Sequence, residues 1–219
     1  MPLRALCLCS PRRNTCCGLR GSSHIDHTVF RCTTTWYSME RAWSLTTPST
    51  CCGTGQAQSR YCTRMRVPAG FRVCRLGRAG VRHLLENAKY GGIRLDLMYR
   101  MAEGVPYIGV YQDPTSAHEA TVDPENLPVA GDEEIPVSWI CSAPIGDMGK
   151  MKTDKRFRRL GFFTLLSMTL ARMQSALIGF IPHAYIDMGN YASQAGIAKL
   201  PGWSMTHESI WIKKNHASL

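Results

Sequence analysis

The pattern of apolar and polar positions changes near residue 66. Over 1–65, apolar residues recur with neither a helical nor a strand period, so a poorly ordered N-terminal extension is predicted there. From 66 to 219 the pattern is regular and predicts one domain. FRVCRL (71–76) alternates like a short strand. AGVRHLLENAK (79–89) carries apolar residues at 81, 84, 85 and 88, a helical stripe ended by Gly91 and Gly92. LDLMYRMAE (95–103) predicts a second helix, stopped by Gly104 and Pro106. Strands follow at 107–112 and 136–143, then an interrupted one over roughly 145–153, with an acidic, proline-containing loop (113–134) between the first two. The strongest element comes next. Phe163, Leu166, Leu170, Met173 and Leu177 are spaced three, four, three and four, one face of a long helix closed by Gly179. A strand at 182–188, a short helix at 193–200 and a strand at 207–214 complete the chain. Strands flanking single helices predict an α/β, mixed α+β class with helices against one central mixed sheet.

Composition fits that reading. The chain has 219 residues, 44% of them hydrophobic and 19% charged, which excludes a wholly disordered or fibrous protein. The net charge of +10 is uneven. Residues 1–65 hold eight arginines, no lysine and two acids, so most of the excess lies in the first third. The remainder is mildly basic, which suits an anionic ligand and is too little to argue for nucleic acid. The first 25 residues carry four arginines and no acid. That start matches a mitochondrial transit peptide in composition, the alternatives being a poorly ordered tail or an N-terminus that is not the natural one, and the expected location is mitochondrial or cytoplasmic. Eight of the ten cysteines lie in the first 65 residues, without the C-x-x-C spacing of a zinc site and with no signal-type apolar segment before them. The longest apolar stretch, LGFFTLLSMTLA (160–171), is broken by Arg172 and is too short to span a membrane.

The chemistry concentrates in KRFRRLGFF (155–163), between a strand and the long helix. Lys155, Arg156, Arg158 and Arg159 precede Gly161, and the helix opens directly after it. A helix N-terminus offers unpaired N–H groups and a positive dipole end, and a glycine lets the backbone approach an anion closely. The residues therefore suit a phosphate, the plain alternative being a solvated basic turn. Cys141, in an apolar strand, reads as a buried inert thiol rather than a nucleophile. Trp139 and Trp211 read as core, and Trp203, beside Pro201 and Gly202, is a candidate for lining a pocket.

The strand, basic loop, glycine and helix resemble the GNAT acetyltransferase superfamily, whose loop motif is Q/R-x-x-G-x-G/A. Arg158 and Gly161 match, and Phe163 stands where glycine or alanine is usual. More narrowly, SWICSAPIGDMGKMKTDKRFRRLGFF (138–163) resembles the C-terminal domain of the glycine N-acyltransferase family. Ser138-Trp139, Gly146-Asp147-Met148, Thr153, Phe157-Arg158 and Gly161 follow its pattern without a gap, and GFIPHAYIDMGNYASQ (179–194) follows it downstream. The resemblance runs from 67 to the end, with its core over 135–219. It implies a GNAT fold with acyl-CoA as co-substrate and no metal. It implies that Met151, Lys152, Arg158, Arg159, Gly161, Phe162 and Phe163 contact coenzyme A, with Asn190 and Ser193 on the pantetheine arm, although Asn190 also suits a helix cap. It implies that Asp147, where the family has a glutamate, is the general base. Asp147 also suits a plain turn, and His183 is the runner-up base.

The expected function is transfer of an acyl group from coenzyme A to a small amine, glycine or another amino acid, by direct general-base-assisted attack. The expected protein is a monomer binding acyl-CoA and an amine, with no nucleic acid. The alternatives are a weak or inactive acyl-CoA-binding protein on the same fold, or a basic module whose extension meets nucleic acid or an anionic membrane.

Overall fold

The structure, a computed structural model, describes residues 36–45, 65–88, 93–143, 145–179 and 181–213. The targeting and cysteine-cluster readings of residues 1–35 and 46–64 lie outside them. The elements are β1 (Trp36–Leu45), β2 (Arg66–Val67), β3 (Phe71–Arg75), α1 (Arg78–Glu86), α2 (Leu95–Gly104), β4 (Tyr107–Gln112), β5 (Ala120–Thr121), β6 (Ser138–Ser142), β7 (Met148–Thr153), α3 (Phe162–Met173), β8 (His183–Asp187), α4 (Tyr191–Ile197) and β9 (Trp203–Lys213). The class is mixed α+β.

The single mixed sheet expected from the sequence is corrected to two sheets and a ribbon. One sheet has the order β3-β4-β6-β7, the other β8-β1-β9, and β2 pairs with β5. Among the described residues, every ladder between these strands is antiparallel, and one isolated parallel bridge joins Arg75 to Val129. Strand pairing depends on chain ends meeting in three dimensions, so period-2 signals alone do not reveal where one ladder stops and another starts.

The four-stranded sheet is covered on both faces. Ile108, Val110 and Ile140 face one way, into a core with Leu166, Leu170 and Met173 of α3. Tyr107, Trp139 and Cys141 face the other way, against Val81 and Leu84 of α1 and Met98 of α2. All five residues of β6 are therefore buried. Helix α3 is enclosed well beyond one stripe, with nine of its residues buried, among them Phe162, Leu165, Ser167, Met168 and Thr169. A left-handed Gly179 ends the π-helical turn Gln174–Ile178 that continues it.

The poorly ordered extension is corrected over 36–45. That segment is β1, the central strand of the second sheet, and it ties β8 to β9. Ala42 is buried, while Glu40, Arg41, Trp43, Ser44 and Leu45 are half-buried, so the strand has no clean alternation to announce it. The Arg41 guanidinium also donates to Gln194 Oε1 of α4 at 2.8 Å. The loop 113–134 is largely exposed as expected, but it contains β5, and two of its acids, Asp113 and Glu134, pair with Arg72 of β3.

Ala42→Asp tests the place of β1. A carboxylate in that buried position is expected to cost on the order of 3 kcal/mol or more in denaturant unfolding. An unattached extension would leave the unfolding midpoint unchanged.

Candidate functional site

β7 and β8 lie against one another without forming a ladder, and each is an edge strand of its own sheet. Between them opens a cavity of about 390 Å³. Met148, Gly149, Lys150, Met151 and Lys152 line it from β7, and Ala184, Tyr185, Ile186 and Asp187 from β8. Phe163 and Ser167 of α3, Glu40 of β1, and Asn190 and Ser193 at the start of α4 complete much of the wall. Its charges are opposed, with Lys150 and Lys152 on one side and Glu40 and Asp187 on the other. The Lys152 ammonium donates to Asn87 Oδ1 at 2.7 Å, joining the edge strand to the end of α1. The same two residues also line a second cavity, of about 510 Å³, that reaches His83, Trp139, Lys155, Arg156 and Arg158.

β7 is bulged. Trp139 faces Lys152 and Cys141 faces Gly149, so β7 carries one more residue than β6 between those pairs. Lys150, within the bulge, has φ 54°, a conformation that non-glycine residues adopt at a cost. The bulge turns part of the backbone of β7 out of its ladder beside the cavity.

Asp147 precedes this strand. Its carboxyl is half-buried, and burial pushes its pKa above the ordinary carboxylate value of 3.8, with His183 and Lys150 pulling it part of the way back. Its Oδ1 is buried and has no hydrogen-bond partner. The carboxylate stands behind Gly149 rather than in the cavity wall: a Cβ on Gly149 would lie 3.7 Å from Asp147 Oδ2. His183 sits at the start of β8, its Nδ1 2.9 Å from the Ile181 carbonyl oxygen. A carbonyl only accepts, so Nδ1 is the donor in that contact.

The basic loop leads into α3 through a 3-10 turn, Lys155–Phe157, capped by Asp154. Arg156 is paired with Asp154 at 3.0 Å. Arg158 and Arg159 are exposed, and Arg159 has φ 69°. Gly161, the N-cap of α3, has φ 79°, no side-chain cap accompanies it, and open space lies where its Cβ would be. The first N–H groups of α3 therefore have no partner within the helix and no side-chain cap.

Of the residues singled out from the sequence, Met151, Lys152, Phe163, Asn190 and Ser193 come together in the cavity wall. Asp147, Arg158, Arg159, Gly161 and Phe162 do not. Phe162 is 2% exposed and packs edge-on against Phe71 in the core. Asn190 is the helix cap, its side chain accepting from the Ser193 N–H, and it also lines the cavity. Cys141 is fully buried and its thiol is pushed up to about 12, so the inert reading holds. Trp139 is core, stacked edge-on against His83. Trp203 is corrected from pocket to core, because it packs beneath α3. The side chain of Trp211 lies outside the described residues.

Several other wall residues were not singled out as site residues from the sequence. Among them, Glu40 sits in the aperiodic segment, Asn87 ends a helix read for its apolar stripe, and Asp187 alternates with buried Ile186 in β8. Phe163 also has an unforeseen partner. Its ring lies 3.0 Å from where a Cβ on Gly196 would be, so a bulky residue on α3 is accommodated by a missing side chain on α4.

The protein is thus a two-sheet α+β structure with a ligand-sized cavity of mixed apolar and charged lining where the sheets part. Comparison with solved structures supports the fold. An X-ray structure of a Drosophila protein from a structural-genomics programme matches with a TM-score of 0.60 at 15% identity, over 84% of this chain and 53% of that one. The chain therefore spans about half the length of that structure. No protein-family profile matches the chain, and no curated protein does.

Gly196→Ala probes the Phe163 contact. In a free helix the change stabilises by about 1 kcal/mol. Here the ring must move, so no gain is expected in thermal unfolding, and Phe163→Leu in the same chain is expected to restore it.

Proposed function

We propose that the chain is an acyl-CoA-dependent N-acyltransferase on a GNAT fold, resembling the glycine N-acyltransferase family, with a small amine such as glycine as acceptor. The observation that carries this reading is the cavity between two adjacent, unpaired strands, with a partly buried carboxyl set beside it. The volume suits the reacting end of a thioester and its acceptor. The open backbone at Gly161, with Arg158 and Arg159, suits the phosphates outside the cavity.

The reaction needs no further group. The acceptor enters as an ammonium and loses one proton to Asp147. The free amine attacks the thioester carbonyl carbon, the C–N bond forms, and the C–S bond breaks with its electrons leaving on sulfur as thiolate, which takes up the proton that the nitrogen sheds on becoming an amide. Backbone N–H groups at the β7 bulge, beside the cavity, suit a carbonyl oxygen that gains charge. Lys150 and Lys152 face Glu40 and Asp187 across the cavity, an arrangement that suits a zwitterion. Asp147 is one methylene shorter than the family's glutamate and lies behind Gly149, so its proton transfer runs through one bridging water.

That set-back position also favours a second reading, acyl-CoA binding without turnover. Both readings need the ligand. An acyl-CoA at about 100 times its Kd is expected to add roughly 2.7 kcal/mol of stability, a rise of about 5–10 °C in Tm. No rise in the folded protein removes both readings.

Asp147→Asn separates them. It is expected to lower kcat by about 10²–10⁴-fold with acyl-CoA binding near normal. In the unchanged protein kcat/KM is expected to rise with pH through a value above the ordinary carboxylate range, because the base acts ionised. Stability runs the other way. The native carboxyl keeps its proton to higher pH than the unfolded one, so native stability falls as pH rises from 3.8 through the raised value. Asp147→Asn is therefore expected to raise Tm at pH 7 while lowering turnover, and a variant with full turnover removes Asp147 from the mechanism.

A further inference from the structure

We infer that Gln174 is the positioning residue for Asp147, an inference that rests on the reading of Asp147 as the base. Gln174 lies where α3 gives way to the π-helical turn Gln174–Ile178, and its side chain is fully buried. Its Nε2 donates to Ser142 Oγ at 2.9 Å and to the Gly146 carbonyl oxygen at 2.9 Å. Ser142 is the last residue of β6, and Gly146 is the residue before Asp147. One amide group therefore spans the whole loop that carries the carboxyl.

Among the described residues, two backbone bonds also hold the loop. The Ala143 N–H donates to the Asp147 carbonyl at 2.7 Å, and the Gly146 N–H to the Ala143 carbonyl at 2.9 Å. Gly146 has φ 86°, so the direction of the chain into Asp147 depends on a residue with little stiffness of its own. The bond from Gln174 to the Gly146 oxygen fixes the peptide plane joining Gly146 to Asp147, and with it the starting direction of the Asp147 side chain.

The chemistry of the buried amide supports a role beyond filling space. Gln174 Oε1 is buried and has no hydrogen-bond partner. A methionine of similar length would fill the same volume without that unpaired oxygen. What the amide alone supplies is two donors, and both are spent on the loop. A π-helical turn at this point also alters which side chains α3 presents, a feature frequent at functional sites.

Gln174→Met and Gln174→Glu test the inference in the full chain. Three quantities are read: kcat and KM with acetyl-CoA and glycine, the acid limb of kcat/KM against pH, and the titration of Asp147 by NMR of protein with ¹³C-labelled aspartate. Gln174→Met is expected to lower kcat by about 10–100-fold, the scale of a ~1 Å misplacement, with KM for acetyl-CoA unchanged. The acid limb and the Asp147 titration are expected to move together. Gln174→Glu keeps the shape, and one donor while protonated, so it is expected to recover part of the activity toward acid pH and lose it as the new carboxyl ionises. A folded Gln174→Met protein with normal kcat and an unmoved Asp147 titration overturns the inference, as does a lower Tm without change in either. If Gln174→Met does not fold, the pH dependence of Gln174→Glu decides. The base reading fails separately, through full turnover of Asp147→Asn, and the Asp147 titration in the Gln174 variants still reports on positioning in that case.

Discussion

Two neighbouring strand edges that decline to pair set up everything else in this protein. β7 closes one sheet and β8 closes another, and they stand side by side with a cavity between them. A strand edge carries a row of N–H and C=O groups that seek partners, so edges this close would ordinarily zip into one ladder. The bulge at Lys150 breaks the regular repeat of β7 on the side of its own sheet. The packing around the gap then keeps it open. Phe163 on α3 meets the bare Cα of Gly196 on α4, Arg41 of β1 reaches Gln194 of α4, and Lys152 reaches Asn87 at the end of α1.

The two sides of the gap differ in kind. β7 belongs to a sheet covered on both faces, with α3 on one side and α1 and α2 on the other, which makes a firm platform. β8 belongs to a smaller sheet in which alternate residues remain half-exposed. The walls differ in charge as well, lysines from β7 opposing carboxylates from β1 and β8. The site thus joins residues from both ends of the described chain, Glu40 and Ser193 among them.

Asp147 shows the usual tension between stability and chemistry. A carboxyl partly out of water, with one oxygen unpaired, destabilises the native state at neutral pH. A surface aspartate would avoid that cost and would lack the raised proton affinity. The neighbouring Gln174 follows the same logic, since a fully buried amide is worth its desolvation only through the two groups it holds.

The sequence by itself determined the elements whose signal is local. The 3-4 spacing from Phe163 to Met173, the strands at 71–76 and 107–112 and the stop at Gly179 all follow from side-chain period and backbone freedom, and they stand within a residue or two of where the pattern put them. The glycine and cations before α3 were legible for the same reason. Tertiary structure alone decided the rest. β1 has no alternation because it is a middle strand with half-covered faces, so its membership shows only in its pairing with β8 and β9. The split into two sheets, the bulge at Lys150 and the bonds from Gln174 to Ser142 and Gly146 each depend on contacts between residues far apart in the chain. A local pattern records which face of an element is apolar; it carries no information about which distant edge that element will meet, or fail to meet.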